Sequence, residues 1–349
     1  MQFNTLLIFS NEHAETSDFS FSNELENRGI HINTNPALNH EFRKTLDPNQ
    51  TLVVTDNEIG CNFAIQHNIP FILKWNENSL CFTQNTNSLE AAKPTCYYDD
   101  IQLLDYQYFL NQWKRSHHLP LTIAKTGRIE LRELTTEDIP VLYQLRKNDS
   151  FSKTLPALDS LDVELEKHLH YIPYQYEFFD YGLWGIFISD SEPTHLPHNT
   201  PLKTTKEQCN DHPNTILIGQ AGIENIEYQD ETLLELSYLI HPHYQRQGYA
   251  TESILAIYRY ITESLELNKA IAIIAKNNLP SIRIAMNLGM KRKESVMHCG
   301  FDCNYYVIDN IHDFLVCYDS EQKRVRAAKS AYQKAVKKPV QSVYSRTWR

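Results

Sequence analysis

Residues 233–252 constrain the fold of this chain more strongly than any other stretch. They begin Leu-Leu-Glu-Leu-Ser-Tyr-Leu-Ile, in which every second residue from Leu234 to Ile240 is apolar or aromatic. This alternation predicts a strand with one buried face. Pro242 ends the strand because proline has no N–H to donate, and apolar residues at helical spacing resume after Thr251. We therefore expect a strand, a tight turn and a long helix in direct succession.

The turn between this strand and this helix has the composition of an anion-binding site. The first N–H groups of a helix lack partners and lie at the positive end of its dipole, which suits a phosphate or pyrophosphate. Gly248 lets the backbone approach such a ligand closely, and the small Ala250 keeps the contact short. The side chains of Gln245 and Arg246 can add contacts to phosphate oxygens. The alternative is a plain strand–turn–helix corner without a ligand.

The segment Gln245-x-x-Gly248-x-Ala250 resembles the Gln/Arg-x-x-Gly-x-Gly/Ala motif of the GNAT superfamily of N-acetyltransferases. In that family the loop holds the pyrophosphate of acetyl-coenzyme A, so the resemblance implies acetyl-coenzyme A as the co-substrate. The stretch that opens with Arg128, Arg-Ile-Glu-Leu-Arg, resembles the start of the ribosomal-protein alanine acetyltransferase-like branch.

Two later segments resemble the same family and follow in the same order. Asn278 and Ser281, with Leu-Gly-Met at 288–290, match its Asn-x-x-Ser segment that ends in Leu-Gly-Phe/Met. Residues 300–308 resemble its closing strand, in which an aspartate stands four residues before a Tyr-x-Leu/Ile. Three motifs in order are far more specific than one, so we assign residues 128–315 to a GNAT-type domain.

The resemblance implies a mixed sheet with flanking helices, in which the strand at 233–240 splays away from its neighbour. The gap admits the pantetheine arm and the acetyl group, and backbone groups near the end of the strand bond the pantetheine amides. The expected coenzyme contacts are Leu239, Ile240, Gln245, Arg246, Gln247, Gly248, Tyr249, Ala250, Thr251, Asn278 and Ser281. Asn278 has a structural alternative, because it can cap the helix that follows it.

Transfer of an acetyl group to an amine needs a base for the amine and a proton for the departing thiolate. Glu235 is the candidate base, acting directly or through water, because the alternation places it on the exposed face of the strand; a purely structural glutamate is the alternative. Ser281 and Tyr306 are the candidates for proton delivery. Tyr305 can substitute for Tyr306, since a register shift of one residue turns a side chain to the other face, and both tyrosines can simply pack.

We expect direct attack of a primary amine in a ternary complex, with a protein N-terminus or a small-molecule amine as the acceptor. The aromatic-rich segment Phe151–Trp184 is expected to roof the acceptor cleft. The alternative function is a non-catalytic module that binds acetyl-coenzyme A for sensing or for docking a partner.

Residues 1–120 alternate apolar strands with helices, which predicts a Rossmann-like α/β domain with a parallel sheet covered on both faces. The strand that ends at Asp56 faintly resembles the later half of a haloacid-dehalogenase-type fold, but the stretch after the first strand lacks the nucleophilic aspartate of that family. We therefore expect an accessory domain that serves as scaffold, docking surface or substrate-selecting cap, with a linker at 121–127.

Charge and composition limit the kinds of partner that this chain can be expected to bind. The net charge is −10, yet residues 320–349 hold nine basic residues and one acidic residue. This tail, 316–349, is expected to be helical and can contact a protein or RNA, whereas the acidic body does not suggest a nucleic-acid enzyme. No apolar stretch is long enough to span a membrane and no signal peptide is present, so a cytoplasmic protein is expected. Cys299 and Cys303 lack a second Cys/His pair nearby, so no metal is expected.

Overall fold

The computed structural model describes residues 2–11, 19–38, 40–75, 94–148, 151, 154–189, 215–228 and 231–336. Within it the chain divides into two compact units between Leu121 and Thr122. The last residues of the basic tail, 337–349, lie outside the described part of the chain.

The N-terminal unit alternates strands and helices along the chain. Its strands are β1 (Thr5–Phe9), β2 (His31–Thr34), β3 (Thr51–Thr55), β4 (Phe71–Lys74) and β5 (Cys96–Tyr98). Its helices are α1 (Ser22–Asn27), α2 (His40–Thr45), α3 (Glu58–His67) and α4 (Tyr106–Ser116), with 3-10 turns at Pro48–Gln50 and Ile101–Leu103. The strands form one parallel sheet in the order β2-β1-β3-β4-β5.

Both faces of this sheet are covered. Along β1, Leu6 and Ile8 join a core cluster with α1 and α4, whereas Leu7 and Phe9 join a second cluster with α3. A strand buried on both sides needs apolar residues at every position, which explains why β1 and β3 carry uninterrupted apolar runs. The predicted Rossmann-like parallel sheet is confirmed.

The C-terminal unit is built on a larger, mixed sheet. Its strands are β6 (Thr122–Lys125), β7 (Ile129–Arg132), β8 (Leu183–Ser189), β9 (Thr215–Tyr228), β10 (Glu231–Ile240), β11 (Ala270–Ala275), β12 (Lys291–His298) and β13 (Phe301–Ile308). Its helices are α5 (Ile139–Arg146), α6 (Leu161–Tyr171), α7 (Tyr249–Glu263), α8 (Leu279–Asn287) and α9 (Ile311–Val336), and a π-helical turn at Ile172–Phe178 follows α6. A 3-10 turn at Pro242–Tyr244 precedes α7.

The order of this sheet is β12-β13-β11-β10-β9-β8-β7-β6. Neighbouring strands are antiparallel except β10 and β11, which are parallel and pair at one position, Glu235 with Ile271. On its other side β10 pairs with β9 along its whole length, from Glu231 to Ile240. The two parallel strands therefore part after Glu235, which confirms the predicted splayed sheet.

The segment predicted as a linker, 121–127, is different in the structure. Thr122–Lys125 forms the edge strand β6, which pairs antiparallel with β7. The sequence carries little sign of this strand because it lies at the edge of the sheet and its residues are only partly buried. The described part of the tail is helical, since α9 continues to Val336.

Helix α7 packs one face against the sheet. Ile254, Ile257, Tyr258 and Ile261 are buried in the main core cluster of this unit, at the spacing expected of an amphipathic helix. Helix α5 covers the opposite face of the sheet through Leu142, which packs with Phe187 and Leu217. Among the described residues no helix is both long and apolar enough to cross a membrane.

Candidate active site

A cavity of about 220 Å³ occupies the gap where β10 and β11 part. Leu236–Leu239 of β10 and Ala272–Ala275 of β11 form two of its walls. Arg146 of α5 lines it on one side of the sheet, and Tyr258 of α7 lines it on the other. Because α5 and α7 cover opposite faces, the cavity reaches through the sheet.

Glu235 lies at the vertex of this gap, where the two strands make their one pairing. It is partly buried, whereas the sequence predicts it on an exposed face. Burial raises the pKa of Glu235 to about 7; the negative charge of Glu224 adds to this rise, and a hydrogen bond from the Ile273 N–H opposes it. A carboxylate with such a pKa can accept a proton near neutral pH.

The turn after β10 has the conformation that a glycine permits. Gly248 has a φ of +87° and directly precedes the first turn of α7, in which Tyr249, Ala250 and Thr251 lie. Arg246 also has a positive φ, +60°. Helical geometry directs the N–H groups of this first turn out of the helix end, towards any ligand placed there.

Gln245 and Gln247 were predicted to contact the coenzyme, but their side chains bind backbone carbonyls of the protein. The Gln245 amide donates to the Ile240 carbonyl at 2.9 Å, and the Gln247 amide donates to the His243 carbonyl at 3.0 Å. Both side chains therefore hold the turn in shape. Leu239 lines the cavity as predicted, whereas Ile240 is buried in the core and does not line it.

Arg128, which directly precedes β7, contacts this turn, and the sequence does not single it out as a site residue. Its guanidinium donates to the Gln247 carbonyl at 2.9 Å and to the Glu252 carboxylate at 2.8 Å, and lies 4.7 Å from the centre of the Tyr249 ring. A Cβ added to Gly248 would lie 3.3 Å from one of its nitrogens. Arg128 places a positive charge beside the helix end and neutralises the acidic Glu252 in the first turn of α7.

Asn278 and Ser281 meet at the start of α8. The Asn278 side chain caps the helix by accepting the Ser281 N–H at 3.3 Å, and both residues line the cavity. Tyr238 of β10 lines the same cavity. Burial raises the pKa of Tyr238 and the neighbouring Ser281 hydroxyl opposes the rise, although the Tyr238 hydroxyl has no hydrogen bond of normal geometry within the described structure.

The structure does not bring Tyr306 to the cavity. Its side chain is 2% exposed and belongs to the main core cluster. Tyr305 points to the opposite face, where it stacks on Tyr228 with 4.6 Å between ring centres. Strand β13 lies between β11 and β12, so both tyrosines pack as structural residues. Tyr238 is the tyrosine that the fold places beside Ser281.

A second cavity of about 150 Å³ adjoins the first on the side of α5 and α6. The two cavities share Arg146, Leu183 and Gln220 as lining residues. Tyr171, from the aromatic-rich segment predicted to roof the acceptor cleft, lines the second cavity. From the same segment Tyr174 and Phe178 are 60% and 75% exposed, so only part of the segment faces the cleft.

In the N-terminal unit, Asp56 lies where the crevice of a parallel sheet would open, beyond β1 and β3. Its carboxylate accepts the Ser10 hydroxyl at 2.9 Å, the Asn11 N–H at 2.9 Å and the Asn57 amide at 3.1 Å. These bonds tie together the segments that follow β1 and β3. The resemblance of this unit to a haloacid-dehalogenase-type fold stays a prediction.

The cavity and the turn fit acetyl-coenzyme A. The left-handed Gly248 forms a cradle that a side chain would fill, beside the guanidinium of Arg128. The opening between β10 and β11 has the partly apolar lining that a pantetheine arm requires. No cluster of metal-ligating side chains occurs among the residues that the structure describes.

Comparison with known proteins gives a family model and several similar proteins. Residues 128–291 match the family model described as an acetyltransferase (GNAT) domain. The uncharacterized N-acetyltransferase YnaD of Bacillus subtilis (strain 168) is 33% identical over 174 residues, which cover 50% of this chain and 85% of that protein. The α/β-tubulin-N-acetyltransferase 9 of Mus musculus is 34% identical over 172 residues, which cover 49% of this chain and 65% of that protein.

Solved structures also match about half of the chain. An acetyl transferase from Salmonella typhimurium, described as modifying the N-terminal serine of the 50S ribosomal subunit protein L7/L12, has a TM-score of 0.42 and 16% identity. The match covers 54% of this chain and 99% of that one. At that TM-score the likeness decides nothing about the substrate.

Proposed function

The chain belongs to the GNAT family of acetyltransferases, and on that premise we propose that it transfers an acetyl group from acetyl-coenzyme A to a primary amine. The acceptor is a protein N-terminus or a small-molecule amine. The observation that carries this proposal is the cavity between β10 and β11, which Tyr238 and Ser281 line and which begins at Leu236, next to Glu235 at the last pairing of the two strands.

The turn at 245–251 and Arg128 are the groups we assign to the pyrophosphate. The helix end and the Arg128 guanidinium both favour negative charge there, and Gly248 leaves room for the ligand. Leu239, Asn278 and Ser281 line the cavity in which the pantetheine arm would lie. When bound, acetyl-coenzyme A supplies the acetyl group as a reactive thioester.

Glu235 is the base in this proposal. A primary amine is mostly protonated at neutral pH, with a pKa near 10 for a lysine-like amine, so it must lose a proton before it can attack. The pKa of Glu235, raised to about 7, makes this carboxylate a stronger base than an ordinary glutamate. Proton removal by such a positioned group typically accelerates a reaction by about 10²–10⁴-fold.

Tyr238, together with Ser281, replaces Tyr306 as the group assigned to proton delivery. The Tyr238 hydroxyl is partly buried, retains its proton because burial raises its pKa, and lies in the wall of the cavity. Residues of both α5 and α7 line this cavity and the second cavity adjoins it, so the two substrates can be present together. None of the residues that line it is a cysteine, which favours direct attack over an acetylated cysteine.

The test is a coenzyme-release assay with the full chain, acetyl-coenzyme A and a panel of peptides, polyamines and aminoglycosides. We expect release of the free thiol that depends on one class of amine and that Glu235→Gln abolishes, while calorimetric binding of the coenzyme persists. Coenzyme binding without turnover of any amine would favour the non-catalytic alternative. Failure to bind the coenzyme would overturn both functions.

A further inference from the structure

Glu235 does not stand alone on its face of the sheet. In the antiparallel pairing of β9 and β10, Glu224 lies directly opposite Glu235. Residues that face each other across such a pair have Cβ atoms about 4.5–5.5 Å apart and point to the same side. Two carboxylates in this position repel each other, and like charges directly opposite are normally avoided in sheets.

The surroundings hold this pair in place. The N–H of Leu183 donates to the Tyr171 hydroxyl at 2.7 Å. The Tyr171 hydroxyl lies close enough to the Glu224 carboxylate to oppose the rise that burial causes in the pKa of Glu224. The Ile273 N–H donates to Glu235. Glu224 thus lies beside a side chain that lines the second cavity, whereas Glu235 lies next to the residues that line the first.

The charged and titratable groups near the pair come from four elements. In the π-helical turn, burial and, to a smaller extent, the charges of Glu133 and Glu224 raise the pKa of Tyr176. Glu224 faces Glu235 from β9, and Tyr171 faces Glu224 from α6. From β13 the thiol of Cys303 lies close enough for the charge of Glu235 to contribute to raising its pKa. Burial raises the pKa of Glu224 too, although the hydrogen bond from Tyr171 opposes that rise. No cation is among the groups that shift the pKa of Glu224 or Glu235.

We propose that Glu224, held opposite Glu235 by the register of β9 and β10, is a positioning residue of this active site, whose negative charge adds to the effect of burial and helps the Glu235 carboxylate take a proton from an acceptor ammonium. This inference rests on the proposed function. In the step, an N–H bond of the ammonium breaks and an O–H bond forms on Glu235. The amine keeps the electron pair, and the two carboxylates together go from two negative charges to one.

The decisive comparison is Glu224→Gln against Glu227→Gln, measured as the pH dependence of kcat/KM. Glu227 lies on the same strand three residues away, is exposed, and accepts the hydroxyl of Thr232. Its replacement therefore removes the same charge at a position of opposite orientation. We expect the acid limb of Glu224→Gln to move to lower pH by on the order of one unit, and that of Glu227→Gln to stay in place. An unchanged limb in Glu224→Gln would overturn the proposal.

Tyr171→Phe provides a second variant that keeps the aromatic ring. Without the hydroxyl, Glu224 binds its own proton more readily and presents less charge to Glu235, so the acid limb should move in the same direction by a smaller amount. A limb that stays at the wild-type pH, in a folded Tyr171→Phe protein, contradicts the role assigned to Tyr171.

A direct titration separates this inference from the proposed function. Carboxyl signals of ¹³C-labelled glutamate in the full chain, without coenzyme, give the pKa of Glu235 once Glu235→Gln identifies its signal. We expect that pKa to fall in Glu224→Gln and not in Glu227→Gln. If it falls while no amine is acetylated, the coupling stands and the proposed function fails. If amines are acetylated and it does not fall, the coupling fails alone.

Discussion

Asp56 in the N-terminal unit and Glu235 in the C-terminal unit are carboxylates at comparable places, each beside a parallel pair of strands. Next to Asp56, β1 and β3 stay paired from Thr5 to Phe9, and three donors occupy the carboxylate oxygens. Next to Glu235, β10 and β11 part after one pairing, and the nearest charge is another carboxylate. The hydrogen bonds of Asp56 hold together the segments that follow β1 and β3, whereas the carboxylate of Glu235 can still exchange a proton.

The difference shows that the number of hydrogen-bond donors around a carboxylate determines whether it serves structure or proton transfer. A buried carboxylate with several donors contributes to structure, because each bond to a charged group is worth about 1.5–3 kcal/mol. A carboxylate with one donor, partial burial and a like charge nearby has a raised pKa and can act as a base. Residue type alone does not distinguish the two.

The largest expected effect comes from Glu235→Gln compared with Asp56→Asn. We expect Glu235→Gln to lower kcat/KM for the amine by about 10²–10⁴-fold, with coenzyme affinity unchanged. Asp56→Asn should leave kcat/KM unchanged and lower the unfolding free energy of the N-terminal unit by about 1–3 kcal/mol. Steady-state kinetics measure the loss of activity, and urea unfolding measures the loss of stability. Equal loss of activity in both variants would contradict the different roles assigned to Glu235 and Asp56.

A second expected effect concerns coenzyme affinity and compares two left-handed glycines. Gly248→Val introduces backbone strain at a φ of +87° and a side chain beside Arg128, so calorimetry should show a loss of coenzyme affinity of about 100-fold or more. Gly300→Val introduces the same kind of strain at a φ of +81°, where a Cβ has no neighbour within 4 Å. The Gly300 variant should bind the coenzyme normally, and normal binding by both would refute the placement of the pyrophosphate.

Tyr238→Phe against Tyr306→Phe tests which tyrosine delivers the proton. We expect Tyr238→Phe to lower kcat about 10-fold, because the cavity loses a proton donor while its shape is kept. Tyr306→Phe should keep kcat, since this ring is buried in the core away from the cavity. Single-turnover rates at saturating acetyl-coenzyme A are the measurement. A drop confined to Tyr306→Phe would restore the role that the sequence predicted for it.

The smallest expected effect is on stability. The folded-state pKa of Glu235 is about 7 against an ordinary value of 4.5, so between these values the folded state holds a proton that the unfolded state has released. Wild-type stability therefore falls as pH rises through this window. Glu235→Gln lacks this titration. The unfolding free energy of Glu235→Gln minus that of the wild type should therefore increase between pH 4.5 and pH 7 and reach about 1 kcal/mol. The same increase for Glu227→Gln would contradict the assignment to Glu235.

Local patterns in the sequence were sufficient to predict the two sheets and the turn between β10 and α7. Uninterrupted apolar runs such as 51–55 indicate strands buried on both faces, and the proline and glycine at 242 and 248 mark the corner between strand and helix. These signals depend on residues close together in the chain. The splay of β10 and β11 followed from the family resemblance, which the structure bears out.

The partners of the candidate site depend on contacts between distant segments. Glu224 becomes relevant only through the register that sets it opposite Glu235, and Arg128 only because the start of β7 lies beside the start of α7. The sequence predicts Tyr306, with Tyr305 as its substitute, and does not single out Tyr238, because no pattern in the sequence tells which tyrosine faces the gap between two strands. Edge strand β6 was read as a linker for the same reason, since its partner is known only after folding.

The parting of β10 and β11 also makes amide hydrogen exchange a direct view of this site. Along its other edge β11 is paired with β13 from Ala270 to Ala275, which protects the amides that point that way. The Ile273 amide is different, because it lies close enough to the Glu235 carboxylate to favour the charged form of that group. An ionised carboxylate accepts more strongly than a protonated one, so this amide should be best protected when Glu235 has lost its proton. The exchange rate of this one amide hydrogen then reports whether Glu235 is deprotonated, even in the absence of any substrate.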